Sequence, residues 1–144
     1  IELITTTVKP QTDEEAWIKF TRMEGLWSLA GYGFWLVEEK ATGAVIGEIG
    51  LADFKREISP SLAGMPEFVW VLAPGAHGKG YAKEAVGAAI GWAEKKFPKT
   101  TFCCIIDPEN AASISVAETY GFKRVRLSPY KGIEIAIFHR APSA

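Results

Sequence analysis

The chain has 144 residues, which is enough for one domain with its own hydrophobic core. Apolar residues make up 48% of it and charged residues 23%, as in ordinary folded domains and unlike disordered chains. The formal net charge of −1 gives no reason to expect nucleic acid or an anionic membrane surface as a partner. No apolar run is long enough to cross a bilayer and no signal peptide is visible. We therefore expect a single cytoplasmic domain over residues 1–144.

The N-terminal part predicts a strand followed by a helix. Residues 2–8 are rich in Thr, Ile and Val, as strands are. Thr12 and Glu15 have the spacing of a capping box, and apolar residues then recur at helical spacing. We expect this helix to run to about Glu24 and to end at Gly25.

An antiparallel hairpin is predicted next. Residues 26–33 are aromatic and glycine-rich and are interpreted as a packed connector or, alternatively, as one wall of a substrate pocket. Residues 34–39 and 45–53 read as its two strands. Glu48 stands among apolar neighbours in the second strand, where a lone acid usually faces solvent. Residues 54–66 form a loop with two prolines.

The central stretch predicts a strand, a glycine turn and a helix. Residues 68–72 are a short apolar run, and apolar residues at helical spacing follow over 82–97. Between them, Gly78 and Gly80 permit a tight turn, and Lys79 adds a positive charge. Unpaired N–H groups at a helix start bind anions, and glycines let a phosphate approach them closely. A plain corner without a ligand fits this spacing about as well. The spacing matches neither a P-loop nor a Rossmann fingerprint.

Residues 101–106 form a continuous apolar run, as a strand covered on both faces would. Adjacent Cys103 and Cys104 point to opposite faces of such a strand and are therefore predicted to be buried free thiols. No set of metal ligands surrounds them, so a zinc site is not expected.

The C-terminal part predicts one more helix and two strands. Asn110 is positioned to cap a helix that ends near Gly121. Strands follow over 122–127 and 133–138, separated by a turn over 128–132. The whole order, β–α–β–β–β–α–β–α–β–β, indicates one mixed, mostly antiparallel sheet with helices on its faces.

Two motifs resemble those of the GNAT N-acetyltransferases. Residues 77–82 (HGKGYA) resemble the family's acyl-CoA pyrophosphate loop, usually Gln/Arg-x-x-Gly-x-Gly/Ala, although His77 departs from the usual first residue. Residues 83–85 (KEA) resemble the start of the following helix in the branch related to ribosomal-protein N-terminal acetyltransferases. Asn110 with Ser113, followed by residues 118–122 (ETYGF), resembles the family's Asn-x-x-Ser/Ala…Glu-Lys-x-Gly-Phe element. The strand over 45–51 also resembles a strand of this family, so the resemblance covers nearly the whole chain.

The resemblance implies an α/β (α+β) fold whose six- to seven-stranded sheet has splayed central strands. Acetyl-CoA would lie as cosubstrate in the gap between strands 68–72 and 101–106, with no metal. Backbone groups at the end of the first of these strands would bind the pantetheine, and loop N–H groups would hold the pyrophosphate. The implied binding residues are Val71, Leu72, His77, Gly78, Lys79, Gly80, Tyr81, Ala82, Asn110 and Ser113.

The implied activity is direct transfer of acetyl to a primary amine, on a protein N-terminus or a small molecule, in a ternary complex. Glu67 is the first candidate for the general base and Glu48 the second. Ala117 occupies the position of the Tyr that serves as general acid in many members, so Ser113 is the candidate group near the sulfur.

Ala117 also leaves a second hypothesis open, an inactive acyl-CoA-binding sensor or partner module. The motifs do not name the acceptor. Residues 26–33, residues 54–66 and the turn around Tyr130 are expected to line its pocket. The sequence does not fix whether the protein is a monomer or a homodimer.

Overall fold

The computed structural model describes residues 11–144. Its elements in chain order are α1 (Asp13–Ala30), β1 (Phe34–Glu38), β2 (Val45–Ala52), β3 (Glu67–Leu72), a 3-10 turn (Pro74–Ala76), α2 (Tyr81–Lys96), β4 (Phe102–Ile106), α3 (Ala111–Thr119), β5 (Lys123–Tyr130) and β6 (Ile133–Arg140). The predicted strand over residues 2–8 lies outside the described residues.

Within residues 11–144 the strands form one six-stranded sheet in the order β1-β2-β3-β4-β6-β5. All neighbours are antiparallel except β3 and β4, which confirms the mixed, mostly antiparallel sheet. The parallel pair is joined only at Glu67 and Cys103, whereas β2 follows β3 from Ala52 to Gly47. Beyond Glu67 the two central strands therefore separate, and the carboxyl-terminal half of β3 faces a gap.

The first helix is longer than predicted. Its capping box is present, since Thr12 and Glu15 exchange side-chain-to-backbone hydrogen bonds. The predicted end at Gly25 is wrong, because the helix continues to Ala30 and ends at Gly31, which has a left-handed φ of 74°. An internal glycine costs only about 1 kcal/mol. Packing of the last turns offsets that cost.

Trp27 supplies much of this packing. Its indole N–H donates to the Phe34 carbonyl oxygen at 2.7 Å, and its ring makes edge contacts with Trp35 and Trp92. The predicted connector over 26–33 is therefore mostly the final turn and a half of α1.

The main core lies between the sheet and helices α2 and α3. Phe68 and Trp70 of β3 pack there against Val86, Ala89 and other apolar residues of the helices. A smaller cluster of buried residues is separate from the main core and consists of Ile58, Ile105, Tyr130, Ile135 and Ile137. All five residues of β4 are buried, as predicted for a strand covered on both faces.

Strand β5 extends further than predicted, to Tyr130, so the predicted turn over 128–132 is wrong. Lys131 and Gly132 alone make the turn, with φ of 48° and 79°. Positive φ at both central residues is typical of tight hairpin turns, whose twist matches that of the strands. Within residues 11–144, no helix combines the length and apolar composition that a membrane span needs.

Candidate functional site

Two cavities occupy the gap that opens between β3 and β4. The first, which we call the loop-side cleft, has a volume of about 510 Å³ and lies between the end of β3, the glycine loop and the starts of α2 and α3. It contains all of the predicted cofactor-binding residues except Lys79, namely Val71, Leu72, His77, Gly78, Gly80, Tyr81, Ala82, Asn110 and Ser113.

The glycine loop presents bare backbone to this cleft. Gly78 and Gly80 have φ of 76° and 79°, a conformation that favours glycine, and a Cβ added at either would meet open space. Gly80 is the N-cap of α2, and no side chain caps this helix start. Its first N–H groups therefore lack the acceptor that a capping side chain supplies, and the helix dipole adds partial positive charge. This arrangement fits a phosphate group.

Side chains around the loop hold it in place. The Nε2–H of His77 donates to the Leu72 carbonyl oxygen at 3.0 Å, which ties the loop to the end of β3. The Tyr81 hydroxyl donates to the Glu39 carboxylate, and this bond raises the pKa of Tyr81. Lys79 is exposed, with its Nζ 6.0 Å from the Tyr81 ring centroid.

Asn110 and Ser113 border the cleft from the start of α3. The Asn110 side-chain oxygen accepts the Ser113 N–H at 3.1 Å, which confirms the predicted N-cap. The amide NH₂ of Asn110 has no hydrogen-bond partner within residues 11–144, so its donors remain available. The Ser113 side chain is buried.

The second cavity, which we call the helix-side cavity, has a volume of about 260 Å³. Its walls come from α1, β2, β3, β4, the start of the β2–β3 loop and the β5–β6 turn. Trp70 and Ser113 line both this cavity and the loop-side cleft, so the two meet at these residues. Both predicted base candidates, Glu67 and Glu48, also line the helix-side cavity.

Glu67 lies in a buried ion pair with Arg56. Arg56 donates from Nε to one carboxylate oxygen at 2.6 Å and from Nη2 to the other at 2.7 Å. Its remaining terminal nitrogen donates to the Tyr130 hydroxyl at 3.2 Å, and the guanidinium lies 4.7 Å from the Phe54 ring centroid. Burial raises the pKa of the Glu67 carboxyl, and the Arg56 hydrogen bonds oppose that rise.

Glu48 has a different environment. The sequence pattern favours the solvent face for this residue, and the structure contradicts that expectation because α1 lies over the strand. One Glu48 carboxylate oxygen pairs with Lys19 Nζ at 2.6 Å, and the side chain is 16% exposed. The other oxygen has no hydrogen-bond partner within residues 11–144.

The expected general-acid position holds no titratable group. Ala117 is fully buried in the core. The nearby Tyr120 hydroxyl donates to the Lys83 carbonyl oxygen and so joins α3 to α2, and Tyr120 lines neither cavity. Both cysteines are free and buried, and burial raises the pKa of both thiols. Among residues 11–144, no group of His, Cys, Asp or Glu could hold a metal ion.

Three residues of the site were not identified from the sequence. Arg56 lies in the loop over residues 54–66 and Lys19 in the first helix, and neither of them was assigned to the site from the sequence. Trp70 was assigned to a buried strand, yet its indole N–H is buried without a hydrogen-bond partner in residues 11–144, at the residue where the two cavities meet. None of the three has a local pattern that points to a site, because each depends on contacts between separate elements.

Comparison with known proteins identifies the domain. A family model described as an acetyltransferase (GNAT) domain matches residues 2–123. The uncharacterized protein YkkB of Bacillus subtilis is 33% identical over 114 residues, which are 76% of this chain and 63% of YkkB. An N-acetyltransferase 9-like protein of Caenorhabditis briggsae is 36% identical over 93 residues, which are 63% of this chain and 47% of that protein. The chain thus spans less than two thirds of these curated relatives.

Solved structures share the fold. One described as a GnaT-family acetyltransferase from Bordetella pertussis superposes with a TM-score of 0.86 at 24% identity, over 95% of this chain and 82% of that one. One described as a ribosomal-protein-serine acetyltransferase from Vibrio cholerae has a TM-score of 0.74 at 23% identity, over 94% and 78%. Salmonella typhimurium yncA, described as an acetyltransferase with its cofactor acetyl-CoA, has a TM-score of 0.73 at 20% identity, over 95% of this chain and 79% of that one.

Proposed function

The chain belongs to the GNAT acetyltransferase family, and on that premise we propose that it transfers acetyl from acetyl-CoA to a primary amine by direct attack in a ternary complex. The observation that carries the proposal is the meeting of two cavities at Trp70 and Ser113. One cavity offers bare backbone at a helix start, and the other holds two carboxylates. Acetyl-CoA bound in the loop-side cleft and an amine bound in the helix-side cavity would bring their reacting groups to the same point.

The loop-side cleft would bind acetyl-CoA, which supplies an acetyl group on a thioester. The uncapped N–H groups at Gly80 and the following turn of α2 suit the pyrophosphate. Backbone groups of Val71 and Leu72 and the free amide donors of Asn110 suit the pantetheine arm, because β3 has no partner strand on its gap side there.

A carboxylate of the helix-side cavity would take the proton of the amine. Most of a free amine is protonated at neutral pH and cannot attack, so a base is needed. Both Glu67 oxygens already accept hydrogen bonds from Arg56, whereas one Glu48 oxygen is unengaged within residues 11–144. We therefore assign proton abstraction to Glu48, directly or through a water. The Glu67–Arg56 pair would instead have a structural role in the cavity wall.

Trp70 and Ser113 would supply hydrogen-bond donors at the reacting centre. A buried N–H without a partner costs free energy, and a catalytic role is one of the explanations for such a group in a native protein. The Trp70 indole N–H is such a group among residues 11–144, and Trp70 lines both cavities. A donor here would stabilise negative charge on the acyl oxygen or on the departing sulfur. Since a thiolate leaves readily, the absence of a titratable group at Ala117 is compatible with turnover.

The alternative is an acyl-CoA-binding module without catalysis, and Ala117 is the feature that keeps it open. A coupled experiment separates the two. Thermal unfolding of the wild type and Gly80→Glu is followed with acetyl-CoA, CoA and ATP, and thiol release is then measured with a panel of amines. Catalysis predicts an acetyl-CoA shift that the variant loses, together with amine-dependent thiol release. A shift without thiol release from any amine would favour the module, and no shift would refute both.

A further inference from the structure

We propose that the amine acceptor carries an anionic group, a carboxylate or a phosphate, which Arg22 and Lys131 bind at the helix-side cavity. The proposal rests on the function proposed above and names the chemical class of its acceptor. It follows from the balance of charges around the cavity, from the backbone conformation at Lys131 and from the size of the cavity.

The cavity has more positive than negative charge. Six charged side chains line it: Lys19, Arg22, Glu48, Arg56, Glu67 and Lys131. Each acid is held by a base, Glu48 by Lys19 and Glu67 by Arg56, both at 2.6 Å. Within residues 11–144, neither Arg22 nor Lys131 takes part in an ion pair. Among the described residues, Arg22 and Lys131 are therefore two exposed positive charges on the cavity wall without an ion-pair partner.

This balance discriminates between kinds of amine. A primary amine reaches the cavity mostly as an ammonium ion, which two uncompensated cations repel. A carboxylate or phosphate on the same molecule reverses the sign of that interaction and draws the acceptor in. A polyamine adds further positive charge and is disfavoured.

Lys131 occupies a backbone position that lysine rarely adopts. Its φ is 48°, at the first position of the two-residue β5–β6 turn, where Asn and Gly are preferred. Its Nζ lies 5.4 Å from the ring centroid of Tyr130, whose hydroxyl accepts a hydrogen bond from Arg56. Tyr130 thus connects the turn to the Glu67–Arg56 pair. Three non-glycine residues among those described have a positive φ, Lys55, Lys99 and Lys131, and of these Lys131 alone lines the helix-side cavity.

The cavity is small, about 260 Å³, which is below the range usual for drug-sized ligands. An acceptor whose anionic group lies close to the amine, such as a dipeptide or an aminoalkyl phosphate, suits this volume.

The test compares acceptors that differ only in this group, using the full chain with saturating acetyl-CoA and thiol release as readout. Glycylglycine is paired with glycylglycinamide, 2-aminoethyl phosphate with ethanolamine, and spermidine represents polyamines. The anionic member of at least one pair should have a kcat/KM about tenfold higher than its neutral partner, and added salt should reduce that ratio. The pair with the larger ratio identifies the anion. A neutral amine or spermidine acetylated as well as the anionic acceptors would overturn the proposal.

Lys131→Asn separates charge from structure. Asn tolerates a left-handed φ, so this variant should unfold at a higher temperature, yet its anionic-to-neutral ratio should fall about threefold or more. Lys99→Asn is the matched control, because Lys99 has a φ of 57°, is exposed and lines neither cavity. It should gain stability and keep the ratio. Arg22→Gln should lower the ratio as Lys131→Asn does. An equal fall in Lys99→Asn would assign the effect to overall charge and overturn the site.

Failure of the proposed function gives a different pattern. If no acceptor releases thiol, calorimetric titration of the same pairs into the protein–CoA complex decides the inference alone. Tighter binding of the anionic member, lost in Arg22→Gln and Lys131→Asn, would support the subsite in a protein that lacks turnover. Equal or absent binding of both members would refute it.

Discussion

The loop-side cleft and the helix-side cavity meet at the same two residues but are built in different ways. The cleft presents backbone, and most of it comes from one continuous run of the chain, from Val71 to Ala82. The cavity presents side chains from several elements, which ion pairs and hydrogen bonds join to one another. Arg56, for example, donates a hydrogen bond to Tyr130, which lies 74 positions further along the chain. A site made of backbone can thus be predicted from a local motif, whereas a site made of paired side chains requires the fold.

The two regions should also respond differently to mutation. The Glu67–Arg56 pair of the cavity is largely buried, so removal of Arg56 would leave the Glu67 carboxylate in a medium of low polarity. The glycines of the cleft face open space, so their substitution should weaken ligand binding and cost the fold less than the loss of a buried charge partner.

Arg56→Met should destabilise the fold by about 3–5 kcal/mol, because it leaves the Glu67 carboxylate buried without a partner. Equilibrium urea unfolding measures the change. The double variant Arg56→Met/Glu67→Met is the control, and it should recover most of the stability because no buried charge remains. A single variant as stable as the wild type would show that the pair does not have the role assigned to it here.

Glu48→Gln should lower kcat about 100-fold or more, because the amide cannot accept the amine proton. The melting temperature should change little, since the Glu48–Lys19 pair is partly exposed. The affinity for acetyl-CoA, measured by calorimetry, should be unchanged. If Glu67→Gln loses as much activity while its fold stays intact and Glu48→Gln stays active, proton abstraction belongs to Glu67 instead.

Gly80→Ala should weaken acetyl-CoA binding about tenfold, because a residue with a Cβ resists a φ of 79° and covers the bare N–H groups. Its cost to folding should be only about 1–2 kcal/mol. Gly91→Ala, on an open face of α2, is the matched control. It should stabilise the helix by about 0.5–1 kcal/mol and leave binding unchanged. Similar affinities for both variants would show that the loop is only a corner.

The smallest effect is expected at the thiols. Cys104 lines the helix-side cavity, but burial raises the pKa of both thiols, so the reactive thiolate is scarce in the folded state. Iodoacetamide at pH 8 should label neither cysteine until the protein is unfolded in urea. After incubation with acetyl-CoA, mass spectrometry should find no acetyl group on either. An acetylated Cys104 would replace direct transfer with a covalent route.

Much of the fold could be predicted because the relevant signals are local. The order of the elements within residues 11–144, the Thr12 and Asn110 caps and the fully buried β4 all follow from spacing and capping chemistry. The failures occurred where tertiary contacts outweighed a local preference. Helix α1 passes Gly25 because Trp27 packs against two other tryptophans.

The glycine turn before α2 is predictable from the sequence, because Gly78 and Gly80 before an amphipathic helix place bare N–H groups in open space, an arrangement that fits a phosphate group. The chemistry of the helix-side cavity depends on the fold. Charges along a chain have no assigned partners until the fold brings them within about 4 Å of one another, where pairing and burial set which of them remain uncompensated. For this reason the pairing of Arg56 with Glu67 and of Lys19 with Glu48 is seen only in the folded protein. The same holds for Arg22 and Lys131, which have no ion-pair partner within residues 11–144.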